Sequence, residues 1–290
     1  SPSLMGMPPQ AHQDERWGVF VKGGTVYGDQ RDTPERPGYS FTSAGVTTGV
    51  DFDLTEKFTA GVLFGYTNSR ADVDNLGSKV NLDGYTLGAY GTWYSRGFYA
   101  DGQIGYGWSD HRNARRIALP GLSRSATSDP SGKHFLLYGG TGFEFKRNNW
   151  TIVPSASLRY THLAVDGYTE SGAGALNLSV DRQKTESLQG SIGGRLYYTW
   201  ETEKAFLMPG IRASYGHEFL RGSRNVTSRL AQGSSPFIVQ TLAPHRNSLL
   251  CRAGLSMSLK SGASFQIGYD AQLGSGYTAH GISAIVRLPF

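Results

Sequence analysis

The sequence lacks the residues and motifs of several common protein classes. It contains one cysteine, Cys251, and no run of about 18 apolar residues. The single cysteine excludes an internal disulfide, and the absence of a long apolar run argues against a transmembrane helix. The Gly-x-Ser-x-Gly elbow and the phosphate loop are absent, and His217-Glu218 lacks the second histidine of a zinc protease. We therefore assign no catalytic residue, no metal ligand and no cofactor.

Long runs of charge are absent as well. The chain carries 28 basic and 23 acidic residues, for a formal net charge of +5. The basic residues recur singly along the chain or gather at predicted loop tips, which argues against a nucleic-acid partner. Residues 1–10 contain neither a charged start nor an apolar core segment, so we expect any export signal to lie upstream of this sequence.

The C-terminal segment has the clearest pattern. A strand directs successive side chains to opposite faces. Steps of two from Phe290 give an apolar set, whereas Arg287, Ser283 and Gly281 fall on the other face. Such a strand is typical of a wall with lipid on one side and a watery lumen on the other. The apolar set comprises Ile282, Ala284, Val286, Leu288 and Phe290.

The same alternation predicts an all-β protein. The fold class that we predict is a twelve-stranded antiparallel transmembrane β-barrel with short periplasmic turns and longer extracellular loops. The 39 glycines and the 12% of aromatic residues fit this class. The predicted strands are 16–29, 39–53, 58–72, 80–94, 98–117, 132–146, 150–168, 184–201, 205–222, 247–260, 263–273 and 277–290.

One face of these strands carries charges of both signs, and we expect that face to line the lumen. An arginine that faced lipid at mid-membrane would cost about 2–4 kcal/mol. Glycines on the same face either clear the interior or relieve crowding and allow strands to bend, and composition favours neither interpretation. The predicted lumen-lining residues are Asp51, Asp101, Glu144, Arg159, Arg195, Arg212, Arg252, Asp270 and Arg287.

Segments in a specific order carry a family resemblance. They include residues 46–53 (VTTGVDFD), 60–69 (AGVLFGYTNS), 85–91 (YTLGAYG), 98–109 (FYADGQIGYGWS) and 208–219 (MPGIRASYGHEF). With the terminal Phe290, they make residues 17–290 resemble the translocator β-domain of monomeric (type V) autotransporters.

The resemblance implies a monomeric barrel in the outer membrane of a Gram-negative bacterium, which anchors an upstream passenger domain and assists its secretion. Residues 1–15 would then be a remnant of the linker to the passenger, and 16–290 the barrel. It also implies that the barrel-assembly machinery recognises the last strand, through Ile282, Ala284, Val286, Leu288 and Phe290.

One departure from the family concerns passenger cleavage. Some members cut within the pore at a linker asparagine, and residues 1–15 contain none. Cleavage upstream, cleavage by an external protease and a passenger that stays attached are the alternatives. Asp51, Asp101 and Glu144 therefore receive no catalytic role.

Basic residues also gather in a predicted external loop. Arginine binds phosphate through a bidentate fork, and the outer leaflet is rich in phosphorylated lipid. We hypothesise that Arg112, Arg115 and Arg116 contact lipopolysaccharide, and a solvated loop charge is the alternative.

Three other functional classes fit the sequence less well. A diffusive porin is the first alternative. An outer-membrane hydrolase would need a group of acid, base or nucleophile residues at one rim, which the sequence does not supply. A soluble β-sandwich would have shorter strands.

Overall fold

The computed structural model describes residues 16–32, 37–73, 77–220, 224–233, 235–241 and 246–290. The predicted linker remnant, residues 1–15, lies outside the described residues.

Twelve long strands form the main sheet. Three short strands extend it, and four more form a second sheet together with a 3₁₀ turn at Gly174–Leu176. In chain order the first ten strands are β1 (Trp17–Gln30), β2 (Tyr39–Thr55), β3 (Phe58–Val73), β4 (Ser78–Ser95), β5 (Phe98–Leu119), β6 (Leu122–Ser128), β7 (Ser131–Phe143), β8 (Phe145–Arg147), β9 (Trp150–Val165) and β10 (Tyr168–Thr169). The remaining strands are β11 (Leu178–Val180), β12 (Gln183–Tyr198), β13 (Trp200–Glu201), β14 (Ala205–Glu218), β15 (Arg224–Leu230), β16 (Phe237–Thr241), β17 (Asn247–Leu259), β18 (Ser264–Gly274) and β19 (Tyr277–Pro289).

The main sheet closes on itself. Its order is β12-β14-β17-β18-β19-β1-β2-β3-β4-β5-β7-β9, and β9 pairs back to β12. All of these pairings are antiparallel. First and last strands pair from Gly18↔Pro289 to Gln30↔Tyr277. The predicted twelve-stranded antiparallel barrel is confirmed, and because it closes, its wall has no free edge.

The turns near the two chain termini are short, as predicted. Arg96 and Gly97 alone separate β4 from β5, and both have positive φ, +51° and +87°. Two successive left-handed residues make the type I′ turn whose twist matches a hairpin. The left-handed conformation of these two residues therefore explains how so short a turn can join two long strands at this end of the barrel.

The opposite end of the barrel differs from the sequence prediction. Residues 118–131 were predicted as a connection, but β5 continues to Leu119 and pairs with β6. The predicted connections 169–183 and 223–246 contain β11, β15 and β16, which with β10 form the separate sheet β10-β11-β15-β16. Ala126, Ala173 and Val180 are buried there. The distal connections are therefore folded structure, held by their own small core.

The outer face of the barrel is apolar. Val62, Ile192 and Ile211 are 61%, 66% and 59% exposed, which only a lipid environment would favour for so many large side chains. Aromatic pairs ring the end near the termini, such as Trp17–Phe52 with centroids 4.7 Å apart and Trp93–Phe98 at 5.8 Å. None of the helices in the described ranges is long and apolar enough to cross a membrane.

Candidate functional site

The inner face of the barrel is recognised by contacts that pass over an intervening strand. Arg287 of β19 donates from Nη2 to Asp51 Oδ1 of β2 at 2.5 Å, across β1. The Tyr90 hydroxyl of β4 donates to Asp51 Oδ2 at 2.9 Å, across β3. Side chains converge in this way on the concave side of a curved sheet. Asp51 is 4% exposed, so its charge depends on these partners.

The strand register places eight of the nine predicted lumen-lining residues on the face that carries the Asp51–Arg287 pair, and the ninth, Glu144, lies between β7 and β8. Arg195 of β12 lies opposite Arg212 of β14, which lies opposite Arg252 of β17. Arg252 in turn lies opposite Asp270 of β18. These four residues make one continuous row along the wall.

The remaining predicted residues have local partners. Glu144 accepts a hydrogen bond from the Tyr94 hydroxyl at 3.1 Å and an ion pair from Lys146 at 3.1 Å. Arg159 lies over the Tyr138 ring, with its guanidinium carbon 6.0 Å from the centroid. Asp101 is 8% exposed. The acids Asp51, Asp101 and Glu144 are therefore dispersed over the wall.

Glycines of the inner face receive aromatic rings from the neighbouring strand. A Cβ placed on Gly49 would lie 2.5 Å from the Phe20 ring, and one on Gly142 would lie 2.6 Å from the Tyr99 ring. In each case the two residues are direct partners in the register, Phe20↔Gly49 and Tyr99↔Gly142. The glycines thus let aromatic rings lie flat against the inner wall. Neither a cleared interior nor relief of crowding, the two interpretations from the sequence, had specified this contact.

The inner face also has an apolar cluster near the chain termini. Val153, Tyr197 and Met208 are 1%, 7% and 8% exposed and pack together with Tyr99. Sequence reasoning missed this cluster, because its members come from β5, β9, β12 and β14 and only the register brings them together.

The closing seam joins the last residue to the first strand. The Phe290 amide donates to the Trp17 carbonyl at 2.9 Å, and the Trp17 amide donates to the Phe290 carbonyl at 3.2 Å. The ring of Phe290 takes no part in this pairing, and the residue is 60% exposed. Of the other residues of the predicted assembly signal, Ile282, Val286 and Leu288 are 53%, 43% and 54% exposed, and Ala284 is half-buried.

The three arginines near the distal end divide into two groups. Arg115 lies on the inner parity of β5, where its Nε and Nη2 donate to the Glu170 carboxylate at 2.9 and 2.6 Å. Its Nη2 also donates to the Leu176 carbonyl at 2.9 Å. Arg112, on the outer parity, pairs with Asp83 at 2.5 Å. Arg116 shares that parity and is exposed.

Glu170 joins the long connections to the barrel. Besides Arg115, its carboxylate accepts the Leu178 amide at 2.8 Å, and its side chain is 7% exposed. Next to it, Thr127 and Ser171 exchange backbone hydrogen bonds at 2.8 and 2.9 Å. The pairing with Glu170 raises the pKa of the Arg115 guanidinium. No group of three or more metal-ligating side chains occurs among the residues that the structure describes.

Comparison with known proteins identifies the family. Residues 19–270 match the model of the autotransporter beta-domain family. The chain is 25% identical over 248 residues to an "Extracellular serine protease" of Serratia marcescens, covering 85% of this chain and 23% of the relative. It is 23% identical over 302 residues to "Outer membrane protein B" of Rickettsia conorii, covering the whole chain and 18% of the relative.

Among solved structures, the translocator domain of the autotransporter NalP from Neisseria meningitidis superposes with a TM-score of 0.76 at 18% identity, covering 96% of this chain and 90% of that one. The closed barrel and the family match agree. The chain belongs to the autotransporter beta-domain family, and it is a translocator barrel of the Gram-negative outer membrane.

Proposed function

We propose that this barrel anchors an upstream passenger domain and assists its passage to the cell surface. The single observation that supports this most is the contrast between the two faces of a closed wall. Large apolar residues cover the outside, and Asp51, Arg212 and Arg287 lie on the inside. The nine predicted charged residues would line the lumen, because a hydrated interior lowers the cost of their charge.

The chain termini give the proposed path of the passenger. Strand β1 begins at Trp17, beside Phe290, at the end of the barrel with the short turns. In the orientation of outer-membrane barrels that end faces the periplasm. Residues 1–15 would then enter the lumen from the periplasmic side as the linker, with 16–290 as the barrel domain.

A pair of matched glycine variants tests the path through the lumen. Gly65 lies on the inner face, and a Cβ there meets its first neighbour, Thr47 Oγ1, at 3.4 Å. Gly139 lies on the outer face, and a Cβ there meets nothing within 4 Å. Gly65→Trp adds an indole to the lumen, whereas Gly139→Trp adds the same group on the lipid side.

The readout is the export of an epitope-tagged passenger fused before Ser1, measured by protease accessibility on intact cells. We expect a several-fold loss for Gly65→Trp and wild-type export for Gly139→Trp. The heat-modified gel mobility of each barrel confirms that it has folded. Equal export by two folded variants would contradict a lumen path.

We further propose that the chain itself is not an enzyme. Its relative in Serratia marcescens is named a serine protease, but the chain spans 23% of that protein. We place such an activity in the part of the relative that this chain does not match. Hydrolysis of peptides or lipids by the purified barrel would overturn this proposal.

Lipopolysaccharide contact is proposed for Arg112 and Arg116, which lie on the outer face four residues apart, above Trp108. Trp108 is 39% exposed and stacks on Tyr85, with centroids 6.0 Å apart, as expected at the membrane boundary. Arg112 pairs with Asp83, but its side chain stays 65% exposed, whereas the side chain of Arg115, the third arginine of the hypothesis, is 35% exposed and donates to Glu170 and Leu176. Unchanged stabilisation of Arg116→Gln by added lipopolysaccharide would argue against this contact.

A further inference from the structure

Three arginines face one another across three neighbouring strands of the inner wall. In the register, Arg195 opposes Arg212, and Arg212 opposes Arg252. Directly opposed residues of an antiparallel pair have Cβ atoms about 5 Å apart, and like charges in such pairs are destabilising. The wall therefore keeps a repulsive arrangement that needs a compensating negative charge.

The surrounding protein supplies only part of that negative charge. Asp270 continues the row, with its Oδ2 3.6 Å from Arg252 Nη1, and Asp101 lies within electrostatic range of Arg195 and Arg212. Two further cations adjoin the row, because Lys22 interacts with Arg252, and Arg159 interacts with Arg212. Among the described residues, these five cations lie near Asp101 and Asp270.

Hydrogen bonding around the row is also incomplete. The Nε of Arg212 is buried and has no hydrogen-bond partner among the described residues, although it is a donor on a charged group. A buried donor on a charged group destabilises the fold when it is left without an acceptor. The geometry of the row thus leaves this donor unpaired, and Asp101 Oδ1 and Asp270 Oδ1 beside it are also buried without a hydrogen-bond partner among the described residues.

A cavity adjoins this donor. It has a volume of about 60 Å³ and is lined in part by Arg195, Arg212 and Arg252. A buried water needs about 10–15 Å³ of such space, so the cavity has room for a few waters or one small oxyanion. Gly210 and Gly254, which oppose each other in the register, also line this cavity.

The polar floor of the cavity fits an anion. Gln266 Nε2 donates to Ser256 Oγ at 3.1 Å, and both residues line the cavity. Because the serine oxygen accepts from the amide, its own hydroxyl hydrogen remains available for donation. A ligand there would meet guanidinium and hydroxyl donors together.

We propose that the cavity beside Arg212 binds a small oxyanion, such as inorganic phosphate. Guanidinium groups bind the oxygens of such anions through paired charge-assisted hydrogen bonds. The bound anion would satisfy Arg212 Nε and offset the repulsion within the row. The site rests on the proposed assignment of this face to the lumen, and it does not depend on passenger export.

The test is thermal unfolding of the purified full chain in detergent, in phosphate and in chloride at matched ionic strength. A ligand that binds only the folded state raises the unfolding temperature in a saturable way. We expect wild type to show this rise and Arg212→Gln to lose most of it. Arg147→Gln removes a charge of the same kind from an exposed position of β8, and we expect it to keep the full rise.

Two further results complete the test. Arg212→Lys keeps the charge but lacks the planar fork, and we expect it to show a smaller rise than wild type. If Arg212→Gln fails to fold, a wild-type rise that Arg212→Lys leaves undiminished overturns the proposal. A rise of equal size in wild type and Arg212→Gln, or no rise in wild type, overturns it too. Passenger export by wild type is measured separately, so a failed anion site leaves that result unaffected.

Discussion

Two adjacent glycines on β12 differ in how much room the neighbouring strand leaves for a side chain. A Cβ on Gly193 would lie 2.2 Å from the Ala213 carbonyl oxygen and 2.5 Å from the Ser214 Cα. Both obstacles are backbone atoms of β14, which cannot rotate away. A Cβ on Gly194, which has the opposite parity, meets its first neighbour at 3.6 Å, an ordinary contact.

We therefore predict that Gly193→Ala destabilises the barrel by about 1–3 kcal/mol, the usual cost of overpacking. Gly194→Ala adds the same methyl group on the lipid side and should change stability by less than about 0.5 kcal/mol. Unfolding of both purified variants in detergent by urea or heat measures the difference. Equal stabilities would show that β12 and β14 can separate locally without cost.

At the scale of strands and connections, the sequence predicted the wall well and the distal end poorly. Each wall strand has one lipid face, so alternation of apolar with small or polar residues, as in residues 251–259 of β17, identifies it. The second sheet has no such signal. Its strands β10, β11, β15 and β16 are short and come from two distant connections, so their pairing depends on tertiary contacts that composition does not encode.

Arg115 illustrates the same limit for a single contact. Its position among basic loop residues suggested a lipid phosphate, yet its partner Glu170 is 55 residues away in the chain. The alternation of β5 does show that Arg115 differs, because an odd-numbered residue lies on the opposite face from Arg112 and Arg116. Parity predicts the face that a side chain occupies, whereas the partner on that face requires the fold.

The contact between Arg115 and Glu170 leads to a prediction for the distal connections. Glu170→Gln removes the charge that Arg115 and the Leu178 amide bind, at a local cost of about 1–3 kcal/mol. We expect faster hydrogen exchange at the Ser171 and Leu178 amides, while the amides of β1 and β19 stay protected.

Glu186→Gln is the matched control for this variant. Glu186 also accepts hydrogen bonds, from the Tyr160 hydroxyl at 2.9 Å and His162 at 3.2 Å, but its side chain is 53% exposed. Exposed pairs contribute little to stability, so its exchange profile should match wild type. Unchanged exchange at Ser171 in Glu170→Gln would mean that backbone pairing alone holds this segment.

For the whole molecule, closure is the step on which the other features depend. The seam between β1 and β19 removes the last free edge, and the Asp51–Arg287 pair spans it on the inside from β2 to β19. Among the outward side chains of the last strand, His280 stacks on Tyr27 across the seam with centroids 5.3 Å apart, whereas Ile282, Val286 and Leu288 are 53%, 43% and 54% exposed. We propose that the exposed apolar residues of this pattern serve recognition during assembly more than the stability of the finished barrel.

Phe290→Ala separates these two roles. Alanine keeps the backbone hydrogen bonds to Trp17, and the ring that it removes belongs to a residue 60% exposed. If the barrel-assembly machinery reads the terminal ring, folded barrel in cells should fall several-fold, while the purified chain refolds in detergent as wild type does. Trp200→Ala removes an aromatic residue that is 62% exposed and lies outside the terminal pattern, and it should assemble normally. A similar loss for both variants would assign the effect to the aromatic boundary of the membrane, and normal assembly of Phe290→Ala would exclude the ring from the signal.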